Sequence, residues 1–342
     1  MSNKKSAPNK SVDEIVTDKV IALIEEKQEL VWQKCWQCAG ISPKNFVSKK
    51  PYRGINYFLA TMFAPDSEYF MTFNQINDQN KNEKAQKGIE LVKPLYKERK
   101  QLDKTTPEYE ALTARIIKIK DEYNVAYLVE GSSGLPIVYA NKRYYKIVDG
   151  KRKTVKTEEE SDGYWYMTRY SNVFSQHDIM NVDFPKTEVV EMTEKQKNAK
   201  CEATIKALQE FKGLKLQFGG DVASYSPSLD RVQMPEMKHF ESSEAYYGVM
   251  FHELIHWTGH NTRLDRFEAT GTQFGSKSYS KEELVAELGS GILAAEHQIS
   301  TEALQENSAA YLKNWLKVLK ADPKFLRKQA GFASDAVELI LG

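Results

Sequence analysis

The sequence is poor in cysteine, lacks long apolar runs and has almost no net charge. Its 342 residues include only Cys35, Cys38 and Cys201, an odd number that is too small for a disulfide framework and typical of a reducing compartment. It contains no run of about 18 apolar residues, and its polar start leads into no apolar stretch. We therefore expect neither a membrane span nor a secretory signal. The formal net charge of +1 excludes a polycation of the histone kind.

The composition and length indicate a folded protein of two domains. Hydrophobic residues make up 41% of the chain and charged residues 28%, which is ordinary for globular proteins. The segment DFPKTEVVEMTEKQ resembles a linker, so we predict one domain over residues 1–190 and a second over 191–342. Residues 80–124 are rich in Lys and Glu with weak apolar periodicity, which predicts a solvated helical pair inserted in the first domain.

Residue patterns predict a mixed α+β fold in both halves. The runs LPIVYANKRYYKIV and GYWYMTRYSNVFS are rich in β-branched and aromatic residues and predict strands, with a hairpin loop at KRKTVKTEEESDG. The second half starts with a predicted helix over residues 195–212, continues with short strands and ends in helices. The fold class is therefore an α+β domain followed by a mostly helical domain with a small sheet.

The chemically most specific motif is His252-Glu253-Leu254-Ile255-His256. On a helix, residues four apart share a face, so both imidazoles can reach one metal ion, and Glu253 can act as general base toward a metal-bound water. Ser242 or Ser243 is expected to cap this helix at its start, and Gly259 to end it.

A third ligand is needed to complete a catalytic metal site. Thr262 occupies the position where a metzincin has its third histidine, so that class is excluded. Glu283 and Glu287 share one face of a downstream predicted helix, and we expect Glu283 to be the ligand and Glu287 to support it. Glu287 itself, or another residue such as Asp265, remains an alternative ligand. Glu283 could instead serve as the capping-box partner of Ser280.

Two further residues are candidates for transition-state support. Tyr225, in the strand-like segment SYSPSLDRVQMP, and His260, just after the HExxH motif, could each polarise a substrate carbonyl. The segment around Tyr225 could also align a peptide by main-chain pairing. For both residues, simple packing or a surface position is the competing interpretation.

The first half carries aromatic residues interleaved with cations. Aromatic rings stack on bases and cations contact phosphates in proteins that bind single-stranded nucleic acid, although the same composition suits a core with a solvated rim. The candidate DNA-binding residues are Trp32, Trp36, Lys44, Lys49, Lys50, Tyr52, Arg53 and Asn56.

Several stretches resemble the ArdC-type antirestriction proteins of plasmids and phages. VWQKCW and PKNFVSKKPYRGINYFLA resemble the N-terminal domain of that family, and YYGVMFHELIHWTGHNTRLDR and YSKEELVAELGSGIL resemble its zincin-like metallopeptidase domain. The resemblance implies an N-terminal domain that binds single-stranded DNA and a domain that holds one Zn²⁺ through His252, His256 and Glu283, with Glu253 as general base. It also implies protection of incoming DNA from restriction in the bacterial cytoplasm, by a protein encoded on a mobile element or phage.

These observations lead to one main hypothesis and two alternatives. The chain is expected to be a single-stranded-DNA-binding antirestriction protein and zinc metallopeptidase that hydrolyses a protein substrate met on DNA. The first alternative is a non-catalytic DNA-binding protector with a structural zinc. The second is a general cytoplasmic metallopeptidase whose first domain recognises proteins.

Overall fold

The computed structural model describes residues 10–27, 42–186, 192–267, 279–299 and 316–342. The described elements of the first half are α1 (Val12–Lys27), β1 (Lys44–Asn45), α2 (Ile55–Phe63), β2 (Tyr69–Thr72), α3 (Phe73–Asp78), α4 (Glu83–Arg99), α5 (Pro107–Glu122), β3 (Tyr127–Leu128), β4 (Leu135–Val148), β5 (Lys151–Val155), β6 (Gly163–Ser175) and β7 (Ile179–Met180). Those of the second half are α6 (Glu194–Lys212), β8 (Leu216–Phe218), β9 (Ser224–Ser226), β10 (Arg231–Met234), α7 (Ser243–Thr258), α8 (Tyr279–His297) and α9 (Phe325–Leu341), with a short helical segment at 316–321. The predicted mixed α+β class is confirmed.

A five-stranded sheet in the order β1-β2-β6-β4-β5 dominates the first half. Strands β4 and β6 form a long antiparallel ladder that runs from the pair Leu135↔Val173 to the pair Tyr145↔Gly163. The hairpin loop predicted for KRKTVKTEEESDG is wrong in its first part, because Lys151–Val155 is strand β5 and pairs with the end of β4. Its lysines and arginine are compatible with an edge strand, where charged side chains reach water.

The charged region predicted as a helical pair contains helices α4 and α5. They pack on each other through a small apolar cluster of their own, formed by Val92, Leu95, Leu112 and Ile116. Asn82 and Thr106 cap the two helix starts by accepting hydrogen bonds from main-chain N–H groups.

The second half combines a short sheet with helices. Strand β10 lies between β8, to which it is parallel, and β9, to which it is antiparallel. Helix α7 packs against β9 and β10 on one side and against α8 and α9 on others. This arrangement places the HExxH helix inside the molecule, with the edge strand β9 beside it.

The main apolar core is shared by the two halves. It joins Val16, Phe58 and Phe70 of the first half to residues of the second such as Phe251 and Val285 in one continuous cluster. The domain boundary predicted near residue 190 falls in 187–191, outside the described residues. Among the helices of the described chain, none is long and apolar enough to cross a membrane.

Candidate metal centre

Helix α7 carries the HExxH motif and is buried on most of its surface. Ser242 is its N-cap, because the hydroxyl accepts a hydrogen bond from the main-chain N–H of Ala245 at 3.1 Å. Gly259 is its C-cap, as predicted, with an ordinary right-handed conformation. The helix buries the side chains of Tyr246, Tyr247, Met250, Phe251, Leu254, Ile255 and Trp257. Such packing on several faces holds the two histidines in a fixed orientation.

Helix α8 approaches α7 closely because a glycine lies at their contact. A Cβ atom built on Gly289 would be 2.6 Å from Cδ1 of Ile255, closer than real Cβ atoms come to a neighbour. A similar approach occurs at Gly259, where a Cβ would be 2.9 Å from the Phe267 ring. The first contact lets the middle of α8 lie close against α7, and the second lets the turn after α7 fold back on the end of that helix.

The two histidines and Glu283 form a triangle of donor atoms. The Nε2 atoms of His252 and His256 are 3.1 Å apart. Glu283 Oε2 lies 3.4 Å from Nε2 of His252, and Glu283 Oε1 lies 3.5 Å from Nε2 of His256. The three residues are the group in the described chain whose donor atoms could hold one metal ion. The carboxylate of Glu283 faces the histidines. These contacts therefore support a role as ligand rather than as a capping-box partner.

Each histidine also meets a carboxylate at its second ring nitrogen. Glu287 Oε1 is 3.7 Å from Nδ1 of His252, and Glu282 Oε1 is 3.4 Å from Nδ1 of His256. Carboxylates in this position fix the orientation of ligating imidazoles. The geometry therefore suits Glu287 as a supporting group rather than as the alternative ligand. The other alternative, Asp265, lies exposed in the turn after α7.

Glu282 is held by a buried arginine that no sequence motif indicates. Arg266 is 2% exposed and donates to Glu282 Oε1 at 2.7 Å and to Oε2 at 3.2 Å. It also donates to the hydroxyl of Thr258 and to the carbonyl of Ile255, both at 2.7 Å. A chain of contacts thus runs from the end of α7 through Arg266 and Glu282 to His256.

The carboxylates change the protonation of the site. Burial by itself lowers the pKa of His256, but hydrogen bonds to Glu282 and Glu283 outweigh it and raise that pKa to about 10. Burial raises the pKa of the Glu283 carboxyl, whereas hydrogen bonds from both histidines bring it well below its usual range. For Glu287, burial is the largest effect and raises the pKa. Without a metal, the cluster therefore keeps a proton on His256 at neutral pH.

An open pocket of about 290 Å³ leads to the histidines. Glu253 lines it together with Tyr225 of β9, whose ring stacks on Phe267 at 6.0 Å. The Tyr225 hydroxyl donates to Asp230 Oδ1 at 2.9 Å, and Asp230 is paired with Arg263. Tyr225 is thus at the site, with its hydroxyl engaged at the pocket wall.

His260 lies one turn beyond the motif. Its Nδ1 is 2.8 Å from the hydroxyl of Thr262, a contact within the turn that follows α7. The structure therefore places Tyr225, rather than His260, on the pocket wall.

The cationic candidates for DNA contact lie in different surroundings. Trp32 and Trp36 are outside the described residues. Lys49 and Lys50 are exposed, with Lys49 Nζ 3.9 Å above the Phe46 ring. Lys44 is half-buried and pairs with Glu68 at 2.5 Å.

The remaining candidates in this segment, Asn56, Tyr52 and Arg53, make contacts within the protein. Asn56 donates to the carbonyl of Val138 at 2.6 Å and accepts from its N–H at 2.8 Å, so its amide holds strand β4. Tyr52 packs against the core, where burial raises the pKa of its hydroxyl. Arg53 is paired with Glu338 at 3.1 Å. Asn56 therefore has a structural role, and its contact with DNA stays a prediction.

Comparisons with known proteins agree with this architecture. The family model of the N-terminal domain of anti-restriction factor ArdC matches residues 10–174, and that of a zincin-like metallopeptidase matches residues 203–331. Two DNA primases TraC of Escherichia coli are 43% and 42% identical over 122 and 121 residues, which is 36% and 35% of this chain. The protein y4eC of Sinorhizobium fredii is 38% identical over 126 residues, or 37% of the chain. The matches span 8%, 11% and 40% of the lengths of these relatives.

Solved structures share the fold over nearly the whole chain. The metal-free antirestriction protein ArdC of plasmid R388 superposes with a TM-score of 0.64 at 23% identity, covering 97% of both chains. Its Mn(II)-bound form gives a TM-score of 0.62 at 24% identity with the same coverage. With an ArdC N-terminal domain followed by a zincin-like metallopeptidase domain, the chain belongs to the ArdC-type family of antirestriction proteins.

Proposed function

We propose that this protein protects DNA from restriction by binding single-stranded DNA through its first half and hydrolysing a protein substrate at the centre on α7 and α8. Membership of the ArdC-type family supports the first part, and the donor triangle of His252, His256 and Glu283 supports the second. The protein would act in the cytoplasm of a bacterial cell, encoded by a mobile element. Its substrate would be a protein met on DNA.

The spacing of the donor atoms is the observation that carries the metal assignment. Ligands at about 2.0–2.1 Å around a tetrahedral Zn²⁺ lie roughly 3.3 Å from each other. The two Nε2 atoms are 3.1 Å apart, and the two oxygens of Glu283 lie 3.4 and 3.5 Å from one imidazole each, all close to that spacing. Two imidazoles and one carboxylate that line an open pocket are a donor set typical of catalytic rather than structural zinc. The residues present therefore fit one Zn²⁺ per chain, and the R388 relative binds Mn(II) in one of its structures.

The roles of the remaining residues follow from their positions. A divalent ion held by these residues would act as a Lewis acid, which lowers the pKa of a bound water to roughly 7 and polarises the carbonyl of the substrate peptide. Glu253, next to His252 and on the pocket wall, accepts the proton of the attacking water and passes it to the leaving amine. A peptide can pair with the edge of β9, and Tyr225 can support the transition state if its hydroxyl turns from Asp230 to the substrate.

The test compares wild type with Glu253→Gln on proteins assembled on single-stranded DNA, in the presence of Zn²⁺ or Mn²⁺. We expect cleavage by wild type only, and equal metal content in both, because Glu253 is not one of the three donors. Protection of incoming DNA is then measured in cells with the same pair. Full protection by Glu253→Gln would show that hydrolysis is not the protective activity and would favour the non-catalytic alternative.

A further inference from the structure

The β4–β6 ladder extends well beyond the apolar core. Residues Leu135–Val138 at the start of β4 are buried, but of the described residues 139–148, 151–155 and 163–172 none is buried. The ladder continues from Tyr139↔Arg169 to Tyr145↔Gly163, which at about 3.4 Å per residue is an exposed sheet roughly 20 Å long. Such an extension contributes little to the core, so its side chains are available for another purpose.

The strands of this extension carry charge of one sign. Strands β4, β5 and β6 contain no Asp or Glu. Their cations are Lys142, Arg143, Lys146, Lys151, Arg152, Lys153 and Arg169. The acidic residues of this region lie in the turns, at Asp149 and within residues 158–162, and of these Glu158 accepts a hydrogen bond from the Tyr144 hydroxyl at 3.2 Å. The sheet surface is therefore complementary to a polyanion.

The strand register collects tyrosines and lysines on one side of the sheet. Paired residues share a face, and residues two apart along a strand do as well. We name this side the tyrosine face; it consists of Tyr144, Tyr164, Tyr166, Tyr170, Lys142, Lys146, Lys151 and Lys153. Tyr164 and Tyr166 are 50% and 58% exposed, and their ring centroids are 5.6 Å apart. Lys142 Nζ lies 4.7 Å above the Tyr164 ring.

On the opposite side of the sheet, two aromatic rings contact each other and a cation rather than standing open to solvent. Tyr145 and Trp165 contact each other at 6.0 Å, and Arg152 lies 4.5 Å above the Tyr145 ring. Both rings are half-buried. A third ring on this side, Tyr139, is 39% exposed and is paired in register with Arg169. Exposed rings next to cations are therefore more numerous on the tyrosine face than on the opposite side.

We propose that the tyrosine face is a binding surface for single-stranded DNA. The proposal rests on the DNA binding proposed above and assigns it to a place in the first half. Exposed rings stack on unpaired bases of any sequence, and the neighbouring lysines reach the phosphates between them. The bases of a duplex are stacked on each other and offer no free face, so this surface favours single strands. A length of roughly 20 Å suits a few nucleotides, near the lower end of about 4–16 for single-strand binding folds.

The test measures binding of a fluorescent oligo(dT) to the full-length protein by anisotropy over a range of salt concentrations. Tyr164→Ala/Tyr166→Ala is expected to weaken binding at least about tenfold, because neither ring remains to stack on a base. Tyr164→Phe/Tyr166→Phe keeps the rings and should bind within about twofold of wild type. Thermal unfolding of each variant checks that the fold is intact.

A second pair of variants tests the lysines independently of the rings. Lys142→Ala/Lys146→Ala should reduce the slope of log affinity against log salt by roughly 1.4, because each single-strand phosphate that a lysine neutralises adds about 0.7 to that slope. The control variant Arg152→Ala/Arg169→Ala removes the same charge from the opposite side of the sheet. It should reduce the salt slope by less than about 0.7, half of the reduction expected for the lysine variant. This comparison stays informative even if the tyrosine variant folds poorly.

The outcomes separate this proposal from the one on which it rests. If Tyr164→Ala/Tyr166→Ala and Lys142→Ala/Lys146→Ala both bind oligo(dT) as tightly as wild type, the tyrosine face is not the binding surface, although the protein still binds DNA. Loss of binding in Lys49→Ala/Lys50→Ala instead would place the DNA on the segment around those two lysines. Absence of any binding by wild type would overturn both proposals.

Discussion

The ion pair of Arg266 and Glu282 is predicted to be strongly coupled, because both side chains are almost fully buried. The side chains alone, without the main chain, are 1% and 4% exposed. Removing one partner of a buried ion pair costs about 3–5 kcal/mol of unfolding free energy, because the remaining charge loses a counter-charge. In the Arg266 variant His256 still contacts Glu282, so we expect the lower end of that range there. Replacing both partners by neutral groups of similar size removes that penalty. Arg266→Met should therefore be more destabilising than the double variant Arg266→Met/Glu282→Gln.

The assay is urea denaturation of wild type, both single variants and the double variant, in the presence of a chelator so that metal does not contribute. If the two side chains were independent, the losses of unfolding free energy in the single variants would add up in the double variant. We expect the double variant to be at least about 2 kcal/mol more stable than that sum, which lies within the range of interaction energies for residues in contact. Single effects that add to the double effect within about 0.5 kcal/mol would refute the reasoning.

The same pair has a predictable pH dependence. Burial raises the pKa of Glu282, but hydrogen bonds from His256 and Arg266 bring it below its ordinary value. A depressed carboxyl pKa adds stability that is present above the pKa of the unfolded state, about 4.3, and is lost as the pH falls through the folded-state value. Below pH 5, the stability of wild type should therefore fall more steeply than that of Arg266→Met, and equal slopes would contradict the assignment.

Three further predictions concern the metal centre. Gly289→Ala should cost about 1–3 kcal/mol in stability and weaken metal binding, because the new methyl group would collide with Ile255; unchanged affinity in a metal titration would count against the close helix contact. Metal binding at pH 7 to 8 should release about one proton, since the carboxylates raise the pKa of His256 to about 10, and metal affinity should rise with pH over this range; calorimetry in buffers of different ionisation enthalpy measures the release. Glu253→Gln should lower peptide hydrolysis about 10²–10⁴-fold in a fluorogenic peptide assay while metal content stays unchanged, and near-wild-type turnover would exclude it as general base.

The members of the candidate metal site could be anticipated from sequence, because helical periodicity places them in two pairs that each share a helix face. His252 and His256 are four apart, and Glu283 and Glu287 repeat that spacing on a second helix, so each pair shares a face before any tertiary contact is known. That α8 turns its glutamates toward the histidines of α7 could not be derived from periodicity. It depends on the contact between Gly289 and Ile255, which only the folded structure brings together.

The support of His256 could not be predicted for a related reason. Arg266 lies in the turn after α7, where an arginine ordinarily reaches water, and nothing in its neighbours indicates that it is buried. Asn56 is the converse case. Its polar side chain in the segment PYRGIN suggested DNA contact, but both its amide groups bond to the main chain of Val138, a residue 82 positions away.

The measurement that tests the central claim most directly is metal content per chain, by elemental analysis of wild type, Glu283→Ala and Glu287→Ala purified side by side. We predict about one zinc in wild type, a loss in Glu283→Ala, and retention in Glu287→Ala with affinity lowered about 10–100-fold, as expected for a group that only orients His252. Retention in Glu283→Ala with loss in Glu287→Ala would contradict the ligand assignment. Absence of metal from wild type even after reconstitution with Zn²⁺ or Mn²⁺ would contradict the metal centre itself.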